Sequence, residues 1–504
     1  MSFADLMVDL TGWAILQSPI PQLLVPLPIA PVLAEAAEAE IGPLVLAGVL
    51  LSLITVFLAA KIGGEICARI NLPPVLGELV GGVVVGVSAL HLIVFPETVA
   101  ETSGSLITDF LQATAGLRPE AALSVFQGES EVVSVLAELG VIILLFEIGL
   151  ESDLKELIRV GPQAAVVAIV GVVVPFATGT TGLIAFFGVP TIPAIFAGAA
   201  LTATSIGITA KVLAELQQLS SKEGRIIIGA AVLDDVLGII VLAVVASLAK
   251  TGEIEILNVI YLILGAAVFL VGSILVGRLL SPLFVALVEE MRTRGQLLIS
   301  SLIFAFILAY IAAAIHLEAI LGAFAAGLIL AETTKRKELE DQISPIADML
   351  VPIFFVTVGA QTDLSVLNPA VPSNREGLII ASFLVIVAII GKVVTGFAVF
   401  GQPGINRWAI GVGMIPRGEV GLVFAGVGAA SGVLSESLGA AIIVMVILTT
   451  FLAPPMLRLV FKETEEEGEA AGLGAPVLAE ADGQMVSVNT ASAQKAESEE
   501  GESS

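Results

Sequence analysis

Charge is scarce in this chain. Asp, Glu, Lys and Arg make up 14% of its 504 residues, where a soluble domain carries about 25%. Hydrophobic residues make up 57%, and the mean hydropathy is +1.03. That composition excludes an ordinary soluble globule and points to a polytopic helical membrane protein. Cysteine is nearly absent. Cys67 stands alone, which excludes an intrachain disulfide and a thiolate metal cluster. The two histidines, His91 and His316, lie near expected helix ends and suggest no metal site. Positive charge is the scarcer sign, with 22 Lys and Arg against 47 Asp and Glu, and nothing supports nucleic-acid binding. Much of the acid follows Lys462, where the run Glu463-Thr464-Glu465-Glu466-Glu467 opens a tail rich in Ala, Ser and Gly. Such a composition predicts a disordered, solvated cytoplasmic extension over 463–504. At the other end, 1–42 is apolar but carries prolines 19, 21, 26, 28 and 31 and no Lys or Arg. It reads as an outside leader rather than a signal peptide.

Two acids stand where none is affordable. Asp234-Asp235 sits inside the apolar run Ile226–Ala249, long enough to cross a bilayer. Each carboxylate at the centre of such a helix costs about 2.5–3.5 kcal/mol on insertion scales. A basic partner could repay one of them. Neighbours lie about 100° apart around a helix, so the second is left for a cavity or an ion.

Thirteen spans are expected between residues 43 and 462: Pro43–Lys61, Pro74–Phe95, Val132–Glu151, Gln163–Gly188, Pro190–Leu213, Ile226–Ala249, Ile256–Leu280, Gln296–Ile315, Ala319–Ala331, Ile346–Thr362, Glu376–Phe400, Trp408–Ser431 and Leu438–Phe461. Sixteen of the basic residues fall in alternate loops, and the opposite loops hold Arg118, Lys250 and Arg375. The positive-inside rule then predicts the N-terminus outside and the C-terminus in the cytoplasm. The chain also repeats itself. Gly149-Leu-Glu-Ser-Asp153-Leu154 matches Gly359-Ala-Gln-Thr-Asp363-Leu364. Leu76-Gly77 with Gly82 matches Leu321-Gly322 with Gly327. Both pairs are seven spans apart. An odd offset predicts two inverted six-helix repeats joined by the seventh span, an arrangement common in secondary transporters.

Four spans bring polar groups to one depth, roughly 12–20 Å from a membrane face at 1.5 Å per residue. They contribute Asp234 and Asp235, Lys392, Arg417, and the stretch Thr202-Ala203-Thr204-Ser205-Ile206-Gly207-Ile208-Thr209, whose Thr202, Thr204 and Ser205 are candidate ion ligands. The last is a poor helix centre, as is Met414-Ile415-Pro416-Arg417-Gly418-Glu419, so two discontinuous helices are expected. Carboxylate, hydroxyl and freed carbonyl oxygens suit a small hard cation. Asp235 with the interrupted fifth span can supply such oxygens, and Lys392 can pair with Asp234 when no cation is bound. Arg417 needs a partner to hold the broken helices, and Glu78, Glu147 and Glu419 are the candidates.

These residues carry a resemblance. Asp234-Asp235, Thr202-Ala-Thr-Ser205, Leu144-Leu-Phe-Glu-Ile-Gly149, Pro74-Val-Leu-Gly-Glu78, Lys392 and Pro416-Arg-Gly-Glu419 are similar to motifs of the monovalent cation:proton antiporters, second subfamily, of the NhaA/NapA type. The resemblance runs from Pro43 to Phe461. It implies an NhaA-type fold, with a core domain moving as an elevator against a dimerisation domain, and it makes Asp235 the ion-carrying carboxylate and Lys392 the salt-bridge partner of Asp234 and a proton carrier. It also implies homodimers and exchange of Na⁺ or Li⁺ for H⁺, with both ions as cargo and no resident cofactor. A lysine at 392 beside two aspartates resembles the electrogenic members. Exchange of K⁺ or of several monovalent cations stays open, because Na⁺ and K⁺ use the same ligand chemistry. Other classes fit less well. An intramembrane aspartyl protease needs its carboxylates on different helices, and a non-transporting sensor would not need the lysine–aspartate pair. The reading is a transporter, not an enzyme.

Overall fold

A computed structural model describes residues 29–96, 105–115, 119–251, 256–368, 372–401, 404–470, 477–481 and 484–488. The helices are α1 (Ile29–Arg69), α2 (Pro74–Val85), α3 (Leu106–Ala115), α4 (Pro119–Glu151), α5 (Leu154–Phe187), α6 (Thr191–Ala200), α7 (Ile206–Glu215) and α8 (Lys222–Thr251). They continue as α9 (Ile256–Glu290), α10 (Gln296–Ala314), α11 (Ala319–Ala331), α12 (Arg336–Ala360), α13 (Pro372–Phe397), α14 (Arg407–Gly413), α15 (Glu419–Ala430) and α16 (Glu436–Ala470). Among the described residues nine helices are long and apolar enough to cross a membrane, and α2, α6 and α11 are shorter apolar helices. Between Ile29 and Ala470 the regular structure of the described residues is all helical, and the molecule is a multi-pass membrane protein.

Each expected span coincides with a helix or a pair of half-helices, with three differences at the edges. The first helix begins at Ile29, so part of the expected leader belongs to it; residues 1–28 lie outside the described residues. Helix α3 was not expected, because ten residues with Asp109 and Gln112 fall below the length and hydropathy of a span. The last helix continues to Ala470, and Val477–Ala481 pairs antiparallel with Gln484–Val488. Of the tail expected at 463–504, the described residues are thus a helical extension to Ala470 and one hairpin. Glu463 to Glu469 extend an existing helix, which is easier than nucleating one, and Val477, Val486 and Val488 supply β-branched residues to the hairpin.

Local chemistry sets the boundaries. Pro74 stands at the first turn of α2, where its missing N–H costs nothing. Asp153 caps α5 by accepting from the backbone N–H of Lys155 (2.9 Å) and Glu156 (3.2 Å). Asp363 accepts in the same way from Ser365 N–H at 2.8 Å. Gly188 ends α5 with φ +64°, a conformation glycine adopts freely.

The helices sort into two bundles. One packs α1, α2, α4, α10, α11 and α12 together; the other packs α5 to α8 with α13 to α16. Helix α9 lies between the two halves of the chain and rests on α8, α10 and α11. Much of it is uncovered, with Leu257 82% and Leu279 77% exposed. The first bundle is sewn by glycine pairs. A Cβ on Gly82 would stand 2.2 Å from the Val356 carbonyl oxygen and 2.9 Å from Gly359 Cα. One on Gly327 would stand 2.3 Å from the Phe146 oxygen and 2.8 Å from Gly149 Cα. The matched motifs thus meet crosswise, α2 on α12 and α11 on α4, with the same atoms in contact. Cys67 is buried on α1 in this bundle. Trp408, at the start of α14 in the other, sets its ring edge-on against Phe397, centroids 5.1 Å apart.

Candidate ion-binding site

Both acids of α8 are withdrawn from solvent, Asp234 fully and Asp235 to 4% exposure. Helix α13 brings Lys392 to them. Its Nζ lies 3.2 Å from Asp234 Oδ2, with neither side chain exposed. The Thr395 hydroxyl donates to the Lys392 carbonyl at 2.6 Å. The other oxygen of Asp234, Oδ1, has no hydrogen-bond partner among the described residues. A buried carboxylate in water-free surroundings needs such a partner, so Oδ1 is an acceptor in waiting.

The two broken helices lie beside this pair and hold each other. The chain leaves helical geometry between Ala200 and Ile206, and again between Gly413 and Glu419. Ser205 N–H donates to the Pro416 carbonyl at 2.8 Å. The Thr204 hydroxyl donates to Met414 O at 3.2 Å, and the Thr209 hydroxyl to Gly413 O at 2.9 Å. The Thr202 hydroxyl turns back to Ala199 O at 2.7 Å. A Cβ on Gly418 would stand 2.7 Å from Ser205 Oγ, so only glycine lets the two breaks approach this closely.

Arg417 occupies the crossing. It is fully buried, and its guanidinium donates to the carbonyls of Leu201, Thr202 and Ala203. The Thr450 hydroxyl of α16 donates to the Arg417 carbonyl. Of the acidic partners expected for it, Glu78 and Glu147 lie elsewhere, and the Glu419 side chain lies outside the described residues. The C-terminal end of α6 leaves carbonyls without intrahelical donors and carries the negative end of the helix dipole. A planar, multiply donating cation satisfies both needs. Arg417 thus engages carbonyls that the interrupted helix leaves free, each of which keeps a second lone pair.

The structure thus gathers Asp234, Asp235, Lys392, Arg417, Thr202, Thr204 and Ser205. It does not bring Glu78 or Glu147 to them. Those two lie half-buried on α2 and α4 in the other bundle, where the Lys211 ammonium of α7 acts on both. Glu147 also accepts from Ser344. The Glu419 side chain lies outside the described residues. Thr395, Thr209 and Thr450 were not singled out from sequence. A hydroxyl in an apolar helix most often bonds its own backbone, so nothing local distinguishes the few that reach across.

Comparison with known proteins was made on this basis. The family described as "Sodium/hydrogen exchanger, transmembrane" matches residues 52–463. The high-affinity Na⁺/H⁺ antiporter NhaS3 of Synechocystis is 70% identical over 442 residues, 87% of this chain and 96% of that protein. The Na⁺/H⁺-K⁺ antiporter GerN of Bacillus cereus is 31% identical over 421 residues, 82% of this chain and 97% of its own. Among solved structures, the sodium proton antiporter MjNhaP1 of Methanocaldococcus jannaschii superposes with a TM-score of 0.51. It is 15% identical, and the match covers 87% of this chain and 98% of that one, a likeness of fold.

Proposed function

Because this chain belongs to the sodium/hydrogen exchanger family, we propose that it exchanges Na⁺, or Li⁺, for H⁺ at Asp234 and Asp235. The observation that carries this is the fully buried Lys392–Asp234 pair beside a second buried carboxylate. Two carboxyl groups, Asp234 and Asp235, share the site with Lys392 and Arg417. A sodium ion adds one charge to an enclosed, poorly screened space, so its entry is favoured only as a proton leaves, from the Asp235 carboxyl or from the Lys392 ammonium as it yields Asp234. Cation and proton then compete for one carboxylate pair, which is the coupling that antiport requires. The Thr202 and Thr204 hydroxyls, each donating to a carbonyl, keep lone pairs with which to complete an oxygen shell.

The division into two bundles supports an elevator. All the gathered residues lie in the bundle of α5–α8 and α13–α16, so that bundle can carry the site past the other without taking it apart. The crosswise glycine contacts support the inverted repeat. The basic loops support an outside N-terminus and a cytoplasmic C-terminus. The uncovered α9 supports assembly as a homodimer in the bilayer, and the buried lysine supports electrogenic exchange. Potassium/proton exchange is the second reading, favoured by the likeness to GerN, whose name includes K⁺.

Proton flux in proteoliposomes under an imposed pH gradient tests the reading. Sodium and lithium are expected to collapse the gradient in the wild type, and Asp235→Ala to abolish the response while still incorporating into vesicles. A response to potassium of equal size moves the chain to the broader exchanger. Full activity in Asp235→Ala removes the site.

A further inference from the structure

Helix α2 opens on Pro73-Pro74, two residues without an N–H, and Pro73 supplies no side-chain cap. The Leu76 N–H turns back to the Pro73 carbonyl at 3.1 Å. Of the first-turn donors this leaves Val75 N–H, which stands too early in the helix to have an intrahelical acceptor. Glu215 takes it, with Oε1 and Oε2 accepting at 3.2 and 3.4 Å. A carboxylate at a helix N-terminus is a favourable cap. This one comes from the opposite bundle, because Glu215 is the last residue of α7. Both sides of the bond are anchored. A Cβ on Gly77 would stand 2.0 Å from the Gly63 carbonyl oxygen, so the start of α2 is pressed onto α1. Helix α7 is 10 residues long, about 15 Å. Its other end is the interruption at the site, where Ser205 N–H and the Thr209 hydroxyl bond to Pro416 and Gly413. One short rod thus runs from the ion site to the cap of a helix in the other bundle. A cleft of about 520 Å³ lies against that cap, lined by Asn71 and Pro74 from one bundle and by Glu215, Arg458 and Lys462 from the other. It has room for water to replace either partner when they part.

We propose that the Glu215 cap on α2 is a latch between the bundles, closed in the cation-free site and released when sodium binds. The inference rests on the exchange reading and extends it by naming a contact that must break as one bundle moves past the other. The closed latch accompanies a Lys392 still bonded to Asp234, the arrangement expected without cargo. Sodium that disturbs this pair disturbs the crossing from which α7 starts, and α7 carries the change to Glu215. Glu215 touches no cargo. It is a positioning residue, acting on the site through α7.

Because Val75 N–H has no helical acceptor, its hydrogen exchange reads the latch directly. Deuterium uptake at Val75 is followed by mass spectrometry on the purified full-length protein in detergent. Without sodium it is expected to quicken about tenfold in Glu215→Ala, the scale of one hydrogen bond to a charged group. Val87 N–H, which bonds to Ala360 O at 3.1 Å inside the first bundle, is expected to keep its wild-type rate. Sodium is expected to quicken Val75 in the wild type and to leave it unchanged in Glu215→Ala, where no latch remains to open. Linkage is reciprocal: if sodium opens the latch, losing the latch favours sodium. The sodium concentration giving half the maximal rise in Tm is therefore expected to fall severalfold in Glu215→Ala. A cap that only stabilised α2 would quicken Val75 and leave that concentration unchanged. Val75 exchange at the wild-type rate in Glu215→Ala overturns the inference, as does a sodium requirement that stays or rises. If Glu215→Ala does not fold, Glu215→Gln, which keeps a neutral acceptor, decides by smaller changes in the same directions. A wild type whose Tm ignores sodium, lithium and potassium removes the exchange reading itself, and the inference with it.

Discussion

At the scale of single residues, Arg417 departs most from what sequence suggests. A buried arginine normally calls for a carboxylate, and Glu78, Glu147 and Glu419 were the natural candidates, the last with its side chain outside the described residues. The structure spends it on three backbone carbonyls instead, because an interrupted helix creates acceptors that no side-chain inventory reveals. The position of the interruption was legible, from Thr202-Ala203-Thr204-Ser205 and from Pro416-Arg417-Gly418. That one break is the other's partner was not, because nothing local links residues some 210 apart. Arg417→Lys keeps the charge but loses the planar fork. It is expected to lower stability by about 2–3 kcal/mol, the worth of one or two hydrogen bonds from a charged donor. Thermal unfolding in detergent measures this, and a Tm within a degree of wild type would mean that charge alone holds the breaks. Lys392 and Asp234 were paired from depth alone, since two opposite charges at one level of an apolar medium seek each other.

Among helices, the deciding contacts are glycine to backbone. The two sequence matches that suggested an internal repeat are the places where α2 meets α12 and α11 meets α4. The matches were visible because close backbone approach tolerates no Cβ, which calls for glycine at 82, 149, 327 and 359. The helix ends were less visible. The start of α12 at Arg336 and the end of α16 at Ala470 lie in charged sequence, where hydropathy gives no signal although helix propensity persists. Gly82→Ala would put a methyl 2.2 Å from the Val356 oxygen, and Gly327→Ala would do the same at Phe146. Each is expected to destabilise the first bundle by about 1–3 kcal/mol, the usual cost of overpacking. Gly265→Ala on α9, with nothing within 4 Å, serves as the comparison and is expected to be silent. Equal Tm values for all three would mean that the seams are looser than the contacts imply.

For the molecule as a whole, α9 is the sole bridge between halves that otherwise meet through packing, and it is tied down by charge. Arg278 holds both carboxylate oxygens of Glu332, just past α11, at 2.7 Å. The hydrogen bonds from Arg278 hold the Glu332 carboxyl below its ordinary range. A lowered carboxylate contributes its stability above the ordinary carboxylate range and loses it as pH falls through the lowered one. Arg278→Ala is therefore expected to lower Tm slightly at neutral pH, since the pair is partly exposed. The difference from wild type should shrink toward zero in acid, and one that grows in acid would contradict the pairing. The same division of the molecule has an optical consequence. Trp408 lies in the bundle that holds Asp234 and Asp235, while Cys67, the only thiol, belongs to the other. The second indole, Trp13, lies outside the described residues and can be replaced. A small quencher attached to Cys67 would then dim Trp408 according to their separation, so the chain carries its own donor and acceptor. Sodium added to such a sample would turn any sliding of one bundle past the other into a change of light.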